Sequence, residues 1–534
     1  MKYIVLVLFT ILLFINNDSL VLWEQDEAAY AGFAYNMVES GQYLIPDFEW
    51  SWPHRKPPLH FWLIAGSYKV FGYNEFATRL PSAIAILICV LLIYFSTLRL
   101  YSKNIALWSS AVFMGSLLMP LYGKISLTDA SLLLCFIGSY FSIQSYLNDE
   151  HPKWLMSLLL FVSAGALVKG PPIFIPVCGA LIMSFIFGQR KKLFLKLFLI
   201  SIIGIIPFSA WAYGTWTVDG GKFIHWWIDW YILKRTSGTI YGQSGVIGYY
   251  LFVFILCFLP WFLFIPLSLK KLIQDILQKH KSDQSLFQLG WILFGWIFYE
   301  IVRSKLPSYA FAVIPIWCIY IAQTVLAFKE EKITISKLSR DSWASLWLIL
   351  AFGILIFRDR IPFDNMQFTT FVLACFFFLF GILYWLSSRL KVLKNRLPEL
   401  ALSFALGLNF IAWGIVIPAF EPTRQFPKLI AEGLVKLNST SKHIFFSSDY
   451  SMSSLPVYLA WSGFKFQTAD RENYDQCTQD SMQYSSHELF MIQRRNFHSL
   501  SVLNDSFKLS PIYGWISDRG IVDTFFIAER VQKN

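Results

Sequence analysis

The sequence has 534 residues, of which 56% are hydrophobic and 15% are charged, and its mean hydropathy is +0.50. Soluble domains carry charges on about a quarter of their residues, so this composition excludes an ordinary soluble protein and predicts a polytopic α-helical membrane protein. The net charge of +11 does not indicate a nucleic-acid partner, because the cations lie in short loops between apolar segments. The seven cysteines suggest neither a disulfide framework nor a CxxC metal site.

About thirteen apolar segments are long enough to cross a membrane, if the shorter ones lie inside a bundle. The first covers about residues 3–22 and lacks a small-residue cleavage site, which favours a retained signal anchor over a cleaved signal peptide. The weakest predicted spans are the short segments 154–168 and 342–357. The twelve later segments are about residues 81–98, 105–121, 129–147, 154–168, 171–188, 193–213, 246–269, 286–302, 307–328, 342–357, 366–387 and 399–419.

Basic residues concentrate in every second loop between these segments, and basic loops remain on the cytoplasmic side of a membrane. This bias predicts a cytoplasmic N-terminus and an outer C-terminus. The basic residues in the predicted inner loops are Arg99, Lys103, Lys153, Arg190, Lys191, Lys192, Lys196, Lys270, Lys271, Lys279, Lys281, Lys329, Lys332, Lys337, Arg340, Arg389, Lys391, Lys394 and Arg396.

The composition changes at about residue 420. Residues 1–419 form the predicted transmembrane domain, including a polar outer loop at 23–80. Residues 420–534 are less apolar and alternate short hydrophobic runs, such as His443 to Phe446, with polar turns. That alternation predicts a small soluble α/β domain on the outer face.

The outer loop that follows the first segment contains two charged pairs. Asp26 and Glu27 stand where a helix on the membrane surface can begin, because a helix N-terminus favours carboxylates. Arg55 and Lys56 precede two prolines, which resist continuing a helix. Carboxylates and cations at one membrane face suit an anionic, lipid-borne substrate. The charges alone leave open an ordinary solvated loop beside the lipid headgroups.

Other predicted outer loops contain further cations. Arg235 follows a Trp-rich stretch, residues 225–231, that suits a helix at the headgroup level. Each cation taken singly favours a headgroup anchor or a topology signal over a binding role. If the loops converge, however, they form a cationic pocket beside one carboxylate pair. The cations of these loops are Lys56, Lys169, Lys234, Arg235, Arg303 and Lys305.

Such a pocket suits a sugar linked to polyprenyl phosphate. Negative charge builds on the phosphate as its bond to the sugar breaks, and Lys and Arg stabilise that charge. A nearby carboxylate can take the proton of an attacking hydroxyl or orient it. A carboxylate base without a carboxylate nucleophile predicts direct displacement with inversion at the sugar carbon.

A series of motifs follows in order along the chain, namely Asp26-Glu27-Ala28-Ala29-Tyr30, Lys56-Pro57-Pro58-Leu59-His60-Phe61-Trp62, Phe71-Gly72-Tyr73-Asn74-Glu75, Arg79-Leu80-Pro81-Ser82, Lys169-Gly170-Pro171, the loop ending at Arg235, Trp261 and Ser304-Lys305-Leu306-Pro307-Ser308-Tyr309. The series resembles the signatures of the GT-C integral membrane glycosyltransferases. It is most similar to the branch of aminoarabinose lipid A transferases and protein O-mannosyltransferases. The resemblance covers about residues 1–330.

The resemblance implies two juxtamembrane helices after the first span and an active site on the periplasmic face. It implies that Asp26 is the catalytic carboxylate, with Glu27 as its neighbour. It implies that the donor phosphate is held by a second group of residues, which are Lys56, Arg235, Tyr309 and Lys305.

Two positions depart from the aminoarabinose transferases. Those enzymes have Glu-Lys-Pro where this chain has Arg55-Lys56-Pro57, so a carboxylate that could ligate a metal is missing. They also carry an Arg at the position of Ala29. Both departures leave the aminoarabinose donor and the lipid A acceptor open. No cofactor is required by this pattern, and a divalent metal is possible with His225, Asp229 and His54 as candidate ligands.

The resulting prediction is an inverting glycosyltransferase of the bacterial inner membrane. It moves a sugar from polyprenyl (undecaprenyl) phosphate to a lipid, glycan or protein acceptor among the membrane lipids. The alternative is a transporter or flippase of lipid-linked substrates, which would place ionisable residues near the midplane of its spans. A polymerase or ligase of surface polysaccharide would share the chemistry and differ in the acceptor.

Overall fold

The fold is taken from a computed structural model of the chain, which describes residues 2–48, 54–234, 244–277, 282–358, 366–421, 425–436, 443–447, 454–468, 489–493, 507–516 and 521–530. Helices dominate the described part as far as residue 421, and a mixed β-sheet follows near the C-terminus. The first eight helices are α1 (Lys2–Phe14), α2 (Asp26–Ser40), α3 (Leu59–Phe71), α4 (Glu75–Leu100), α5 (Lys103–Met114), α6 (Leu118–Lys124), α7 (Thr128–Asp149) and α8 (Lys153–Lys169).

The later helices continue the bundle, and several are interrupted by short 3-10 or π turns. Their bounds are Pro171–Ile173 (3-10), Phe174–Phe187, Lys191–Ile203, Ile206–Asp219, Lys222–Ile228, Asp229–Leu233 (π), Tyr249–Cys257, Leu259–Phe264 (3-10), Ile265–Leu277, Asp283–Ile292, Leu293–Ile297 (π), Phe298–Ile301, Pro307–Val313 (3-10), Ile314–Lys329, Lys337–Phe357, Met366–Ser387, Lys391–Lys394, Leu397–Ile411, Ala412–Val416 (π) and Ile417–Phe420.

Seven helices of the described residues are long and apolar enough to cross a membrane, or nine if each of two bent pairs counts as one span. The bent pairs are α5 with α6, at 63°, and Tyr249–Cys257 with Leu259–Leu277, at 102°. Every segment of the sequence analysis coincides at least in part with a helix. Several of these helices are short or broken, however, and the count of about thirteen spans stays a prediction.

Helix α1 ends earlier than the predicted first span, residues 3–22. It stops at Phe14, and Asn16 adopts a left-handed conformation with φ 56°. The Asn17 side chain donates to the Leu13 carbonyl at 2.8 Å. Lys124 Nζ donates to the Leu12 carbonyl at 3.2 Å. Side chains therefore satisfy the free carbonyls of the last turn, as a helix end inside a protein requires.

Helices α2 and α3 pack against each other beside the bundle, as the two predicted juxtamembrane helices. Their contact is formed by buried aromatic and aliphatic side chains. On α3 these side chains recur at Phe61, Ile64 and Tyr68, which is the spacing of one helix face. Tyr30 and Phe33 supply the facing side chains from α2. This pairing places the first turn of α2 next to the segment before α3.

The region after residue 425 contains two helices, Phe426–Lys436 and Leu455–Trp461, and a five-stranded sheet. The strand order is β2-β1-β3-β5-β4. Strand β1 pairs in parallel with β2 and β3, whereas β5 pairs antiparallel with β3 and β4. The strands are β1 (His443–Ser447), β2 (Lys465–Thr468), β3 (Leu489–Gln493), β4 (Phe507–Ile516) and β5 (Ile521–Arg530).

Candidate active site

The first residue of α2 is the centre of a polar cluster. Asp26 Oδ1 lies 2.8 Å from His54 Nδ1 and 3.4 Å from Lys56 Nζ, and the Tyr30 hydroxyl donates to it at 3.1 Å. Tyr30 lies one turn after Asp26 on the same helix face. The Asp26 side chain remains 47% exposed, so an incoming molecule can reach it.

The surroundings of Asp26 favour its charged form. Burial by itself would raise the pKa of this carboxyl, but Lys56 and the His54 hydrogen bond outweigh it and hold the pKa well below its ordinary value. Within the described residues, the contacts of Asp26 fall on Oδ1. An approaching hydroxyl can therefore engage Oδ2 without displacing a hydrogen-bond partner.

Lys56 is largely buried between two aromatic rings. Its Nζ donates to the Tyr30 hydroxyl and lies 4.7 Å from the Tyr30 ring centroid. The Tyr231 ring centroid lies 5.9 Å from the same Nζ. Pro57 and Pro58 follow and keep the chain out of a helix until α3 begins at Leu59. The two prolines thus direct Lys56 back toward α2.

Glu27, the neighbour of Asp26, has a different environment. Its carboxylate forms a bidentate pair with Arg79, with Nε–Oε1 and Nη2–Oε2 distances of 2.9 Å. The backbone N–H groups of Ser126 and Trp23 donate to the two oxygens, each at 2.8 Å. Glu27 is buried, and both of its oxygens are engaged. Its catalytic role stays a prediction, and its contacts favour a role in holding Asp26 in place.

Arg79 extends this contact to the segment before α2. Its guanidinium donates to the carbonyls of Asn17, Leu20 and Val21 at 3.1, 2.7 and 2.8 Å. Arg79 is 1% exposed, so its charge is compensated within the protein. The Arg79-Leu80-Pro81 motif therefore has a structural explanation, because it ties α4 to the segment that leads into Asp26.

A second charged pair lies where α7 begins and α8 ends. Lys169 Nζ contacts Asp129 Oδ1 at 2.7 Å, and it lies 5.9 Å from the Tyr309 ring centroid. The sequence analysis missed Asp129. The available signal was a carboxylate at the start of an apolar span, where a charge is costly without a partner.

Lys169 borders a cavity of about 210 Å³ with mostly apolar walls. Tyr231 is also part of this wall, and its ring approaches Lys56, so the cavity lies next to the Asp26 cluster. The lining residues are Leu132, Phe136, Lys169, Pro171, Pro172, Ile175, Trp227, Tyr231, Ile232, Phe298, Tyr299, Val302, Ser304, Ser308 and Tyr309. The position of Tyr309 in the cavity wall fits its expected place beside the donor.

Lys305 does not extend an open ammonium group into this cavity. Its Nζ donates to the Tyr299 and Glu300 carbonyls, each at 2.7 Å, where a helix ends. The Glu300 carboxylate in turn accepts the N–H groups of Gly248 and Tyr250 at 3.0 and 3.1 Å. Burial lowers the pKa of Lys305, and Glu300 partly opposes that shift. Its phosphate-binding role stays a prediction, and its contacts favour helix capping.

Arg235 lies outside the described residues, which end in this loop at Lys234. Lys234 pairs with Asp229 at 2.7 Å. Among the described residues, no three His, Cys, Asp or Glu side chains are grouped so as to hold a metal ion. His54 contacts Asp26, and His225 packs against the Trp216 ring at 5.0 Å between centroids. The divalent metal with His225, Asp229 and His54 as candidate ligands stays a prediction.

Sequence reasoning also missed His60. Its ring nitrogens lie 3.0 Å from Ser131 Oγ and 3.3 Å from Ser126 Oγ. Burial, followed by the charge of Lys56, lowers the pKa of His60 to about 3. A neutral imidazole thus lies on α3 beside Lys56.

Comparisons with known proteins identify a matching family model and similar relatives. The family model for dolichyl-phosphate-mannose-protein mannosyltransferase matches residues 55–213. An undecaprenyl phosphate-alpha-4-amino-4-deoxy-L-arabinose arabinosyl transferase of Shewanella sediminis is 24% identical over 82% of this chain and 80% of its own length. A protein of the same name from Enterobacter sp. (strain 638) is 24% identical over 56% of this chain, and the matched part is 55% of that relative.

The fold is similar to that of a solved structure, ArnT from Cupriavidus metallidurans bound to undecaprenyl phosphate. The TM-score is 0.73 at 16% sequence identity, over 98% of this chain and 97% of ArnT. The fold therefore agrees along almost the whole length, beyond the part that the family model matches. Together with the ordered motifs, these findings confirm the resemblance of the chain to the GT-C integral membrane glycosyltransferases.

Proposed function

We propose that this protein transfers a sugar from a polyprenyl phosphate, such as undecaprenyl phosphate, to a hydroxyl of an acceptor at the periplasmic face of a bacterial inner membrane. The observation that carries the proposal is the approach of Lys56 Nζ to Asp26 Oδ1, at 3.4 Å, beside an apolar cavity. This arrangement combines a base, a phosphate-binding cation and room for a lipid. The same combination is needed to break a bond between a sugar and a lipid phosphate.

The donor phosphate binds at Lys56, with Arg235 and Lys169 contributing further positive charge. The prenyl chain lies along the apolar cavity wall, and Tyr309 packs beside it. The curated relatives are named for an undecaprenyl phosphate donor, and the similar ArnT structure contains undecaprenyl phosphate. These two comparisons support the same donor class here. Lys305 and Glu27 hold the surrounding segments.

The reaction proceeds by direct displacement. The acceptor hydroxyl donates its proton to Asp26 while its oxygen forms a bond to the sugar carbon. The bond from that carbon to the phosphate oxygen breaks, and the phosphate keeps the electron pair next to Lys56. When the phosphate draws Lys56 away from Asp26, the carboxylate loses its counter-ion. Its pKa then rises, and Asp26 becomes a stronger base.

The identities of the sugar and of the acceptor are considered from the named relatives and from two residues of this chain. Relatives of the chain are named for aminoarabinose transfer, but this chain has Arg55 and Ala29 at two positions where those enzymes differ. Arg55 is buried and pairs with Asp47, so its charge is used within the loop. An aminoarabinose donor is one candidate, and the acceptor is a lipid such as lipid A, a glycan or a protein.

The membrane arrangement is part of the proposal. The N-terminus lies in the cytoplasm, about thirteen segments cross or enter the membrane, and residues 420–534 form a periplasmic α/β domain that follows the transmembrane domain 1–419. The mixed sheet β1–β5 with its two helices supports the domain assignment. The polar cluster at the start of α2 then faces the periplasm.

A transporter or flippase is less well supported. Transporters place ionisable groups near the midplane of their spans. Here the buried charges lie at helix ends, with Asp129 second in α7, Lys169 last in α8 and Lys124 last in α6. Charges at the rim of a bundle suit chemistry at one membrane face better than a path across the membrane.

Native mass spectrometry of the purified protein in mild detergent tests the donor class. We expect a bound polyprenyl phosphate, and the mass of a sugar-loaded carrier would identify the sugar. Lys56→Ala removes one charge-assisted contact and should weaken carrier binding by about 1.5–3 kcal/mol, or roughly tenfold to 150-fold. Lys69→Ala is the matched control, because Lys69 is exposed at the other end of α3. A folded parent that carries no such lipid would favour the transporter.

Asp26→Asn tests the base in the same preparation. The amide cannot accept the hydroxyl proton, so we expect carrier binding to persist while transfer falls by about 10²-fold or more. The sugar-loaded carrier should then accumulate on the variant. Near-full transfer by Asp26→Asn in membranes would contradict the role of the carboxylate.

A further inference from the structure

The segment between α1 and α2, residues 15–25, leads directly into Asp26. Arg79 holds this segment from the side of α4 through carbonyls that include those of Leu20 and Val21. The residues after 420 contact it from another side. The Val21 N–H donates to the Glu421 carboxylate, and the Ser454 N–H donates to Glu24 Oε2 at 3.0 Å.

Tyr458 makes the most central of these contacts. It lies on the helix Leu455–Trp461 and is 4% exposed. Its hydroxyl accepts the Leu22 N–H at 2.8 Å and donates to Glu75 Oε1 at 3.2 Å. Burial and the nearby Glu75 raise the pKa of Tyr458 well above its ordinary value, so the hydroxyl keeps the proton that it donates. Lys428 Nζ, at 2.6 Å, neutralises the same Glu75 oxygen.

Apolar packing reinforces these polar contacts. Val21 and Leu22 belong to one buried cluster with side chains from the C-terminal region. The cluster also includes Ala31 of α2. The C-terminal members are Phe426, Ile430, Ala431, Leu434, Ile444, Leu455, Val457, Tyr458, Leu459 and Phe464. The C-terminal region therefore packs against the segment and against the helix that carries Asp26.

The backbone next to Asp26 requires such support. The backbone of Gln25 adopts φ 70° and ψ −110°, a conformation that residues other than glycine rarely adopt. Such residues persist where the surrounding structure holds them, and they cluster at functional sites. The contacts at Val21, Leu22 and Glu24 lie within four residues of Gln25. Loss of one of them allows the segment to relax and to reorient the first turn of α2.

We infer that the C-terminal region is part of the catalytic unit, and that Tyr458 is a positioning residue that orients Asp26 through the Leu22 amide. Its role as a positioning residue rests on the proposed function, whereas the contact itself does not. The region then does more than recognise an acceptor, because the geometry of the base depends on it. Lys428 and Glu75 hold the Tyr458 hydroxyl in place.

Tyr458→Phe tests the inference in the full-length protein, with Tyr35→Phe as a matched control. The Tyr35 hydroxyl also bonds across to the C-terminal region, donating to the Ala460 carbonyl at 3.1 Å, but it extends from the third turn of α2 and its bond joins α2, not residues 21–24, to that region. Hydrogen exchange of the peptide that covers residues 20–27 should accelerate at least tenfold in Tyr458→Phe. It should change by less than twofold in Tyr35→Phe.

Catalysis supplies the second readout. In Tyr458→Phe we expect kcat to fall at least tenfold, with KM for the carrier and polyprenyl phosphate binding within twofold of the parent. Unchanged exchange in Tyr458→Phe, or equal effects of the two variants, would overturn the inference. A parallel loss of carrier binding would also overturn it, because it would indicate general unfolding.

The exchange measurement separates this inference from the proposed function. If the parent shows no glycosyl transfer and Tyr458→Phe still exchanges faster, the proposed function fails and the contact between the C-terminal region and residues 21–24 stands. If Tyr458→Phe does not fold, Lys428→Met serves instead. It removes the Lys428–Glu75 pair at 2.6 Å and should raise exchange in the same peptide at least threefold.

Discussion

Two adjacent carboxylates at the start of α2 have different roles because their surroundings differ. Consecutive residues of an α-helix point in directions about 100° apart. Asp26 therefore faces Lys56, while Glu27 faces Arg79. Asp26 is half-exposed and available to substrate, whereas Glu27 is fully enclosed by donors. Removal of one partner of a buried pair such as Glu27–Arg79 leaves an uncompensated charge, which typically costs about 3–5 kcal/mol.

His60 makes the stability of the protein depend on pH. Its native pKa of about 3 lies below the ordinary value of about 6.5 that applies in the unfolded chain. Below pH 6.5 the unfolded chain therefore binds a proton that the native protein does not bind. The contribution of neutral His60 to the free energy of unfolding is fully present above about pH 6.5 and is lost as the pH falls. The loss should be about 2 kcal/mol between pH 7 and pH 5.

Thermal unfolding followed by tryptophan fluorescence checks this prediction across pH 5–8. The unfolding midpoint of the parent should fall toward pH 5, and His60→Gln should flatten that dependence. His151→Gln is the control, since His151 is exposed, and it should keep the slope of the parent. Equal slopes in the parent and in His60→Gln would contradict the assignment.

At the scale of elements, the Lys169-Gly170-Pro171 motif joins α8 to the Trp-rich helices. Gly170 has φ 80° and ψ −133°, which ends α8. A Cβ placed at this residue would lie 2.8 Å from the Trp227 ring. Trp227 and Tyr231 both line the cavity near Lys169. The missing side chain at Gly170 thus allows Trp227 to pack closely against the end of α8.

Gly170→Ala should therefore destabilise the protein by about 1–3 kcal/mol, because the backbone conformation is strained for alanine and Trp227 must shift. We also expect weaker polyprenyl phosphate binding, since the cavity wall moves. Gly66→Ala is the control. Gly66 lies within α3, and a Cβ there meets open space. A helix-interior alanine at this position should be neutral or stabilising by up to about 1 kcal/mol.

Unfolding midpoints and carrier binding by mass spectrometry measure both glycine variants. The prediction requires a lower unfolding midpoint and weaker carrier binding for Gly170→Ala than for Gly66→Ala. If Gly170→Ala has the unfolding midpoint and the carrier binding of the parent, the prediction that Trp227 packs closely on this turn is wrong.

At the scale of the whole molecule, the distribution of charge predicts the orientation. In the proposed topology, the basic residues of the predicted inner loops keep those loops in the cytoplasm. Ser40, at the end of α2, should then lie outside, and Glu150, after α7, should lie inside. Both positions are exposed, so a cysteine introduced there is accessible from its own side of the membrane.

Labelling of spheroplasts with a membrane-impermeant maleimide measures this orientation. Ser40→Cys should label in intact spheroplasts, and Glu150→Cys should label after lysis. The parent corrects for its native cysteines. Labelling of Glu150→Cys before lysis would reverse the proposed topology and would place the Asp26 cluster in the cytoplasm.

The amino-acid sequence predicts the class of protein, because apolar segments and basic loops are local properties that need no tertiary contact to be recognised. It also determined which outer loops carry the chemistry, since Asp26 and Lys56 stand in ordered motifs that resemble the GT-C glycosyltransferases. The juxtamembrane helices followed from the same resemblance. The number of spans does not follow from hydropathy alone, since α5 and α6 are bent by 63° and are long enough to cross a membrane only as a pair.

The pairing of the charges, in contrast, depends on how the chain folds. Glu27 lies 52 positions from Arg79, and Lys169 lies 40 positions from Asp129. Hydropathy and charge patterns do not show which residues pair across such separations along the chain. The contact between Leu22 and Tyr458 spans 436 positions, and no local pattern connects the first loop to the last region. Burial and hydrogen-bond partners arise when distant segments pack together, and they distinguish an accessible carboxylate from an enclosed one.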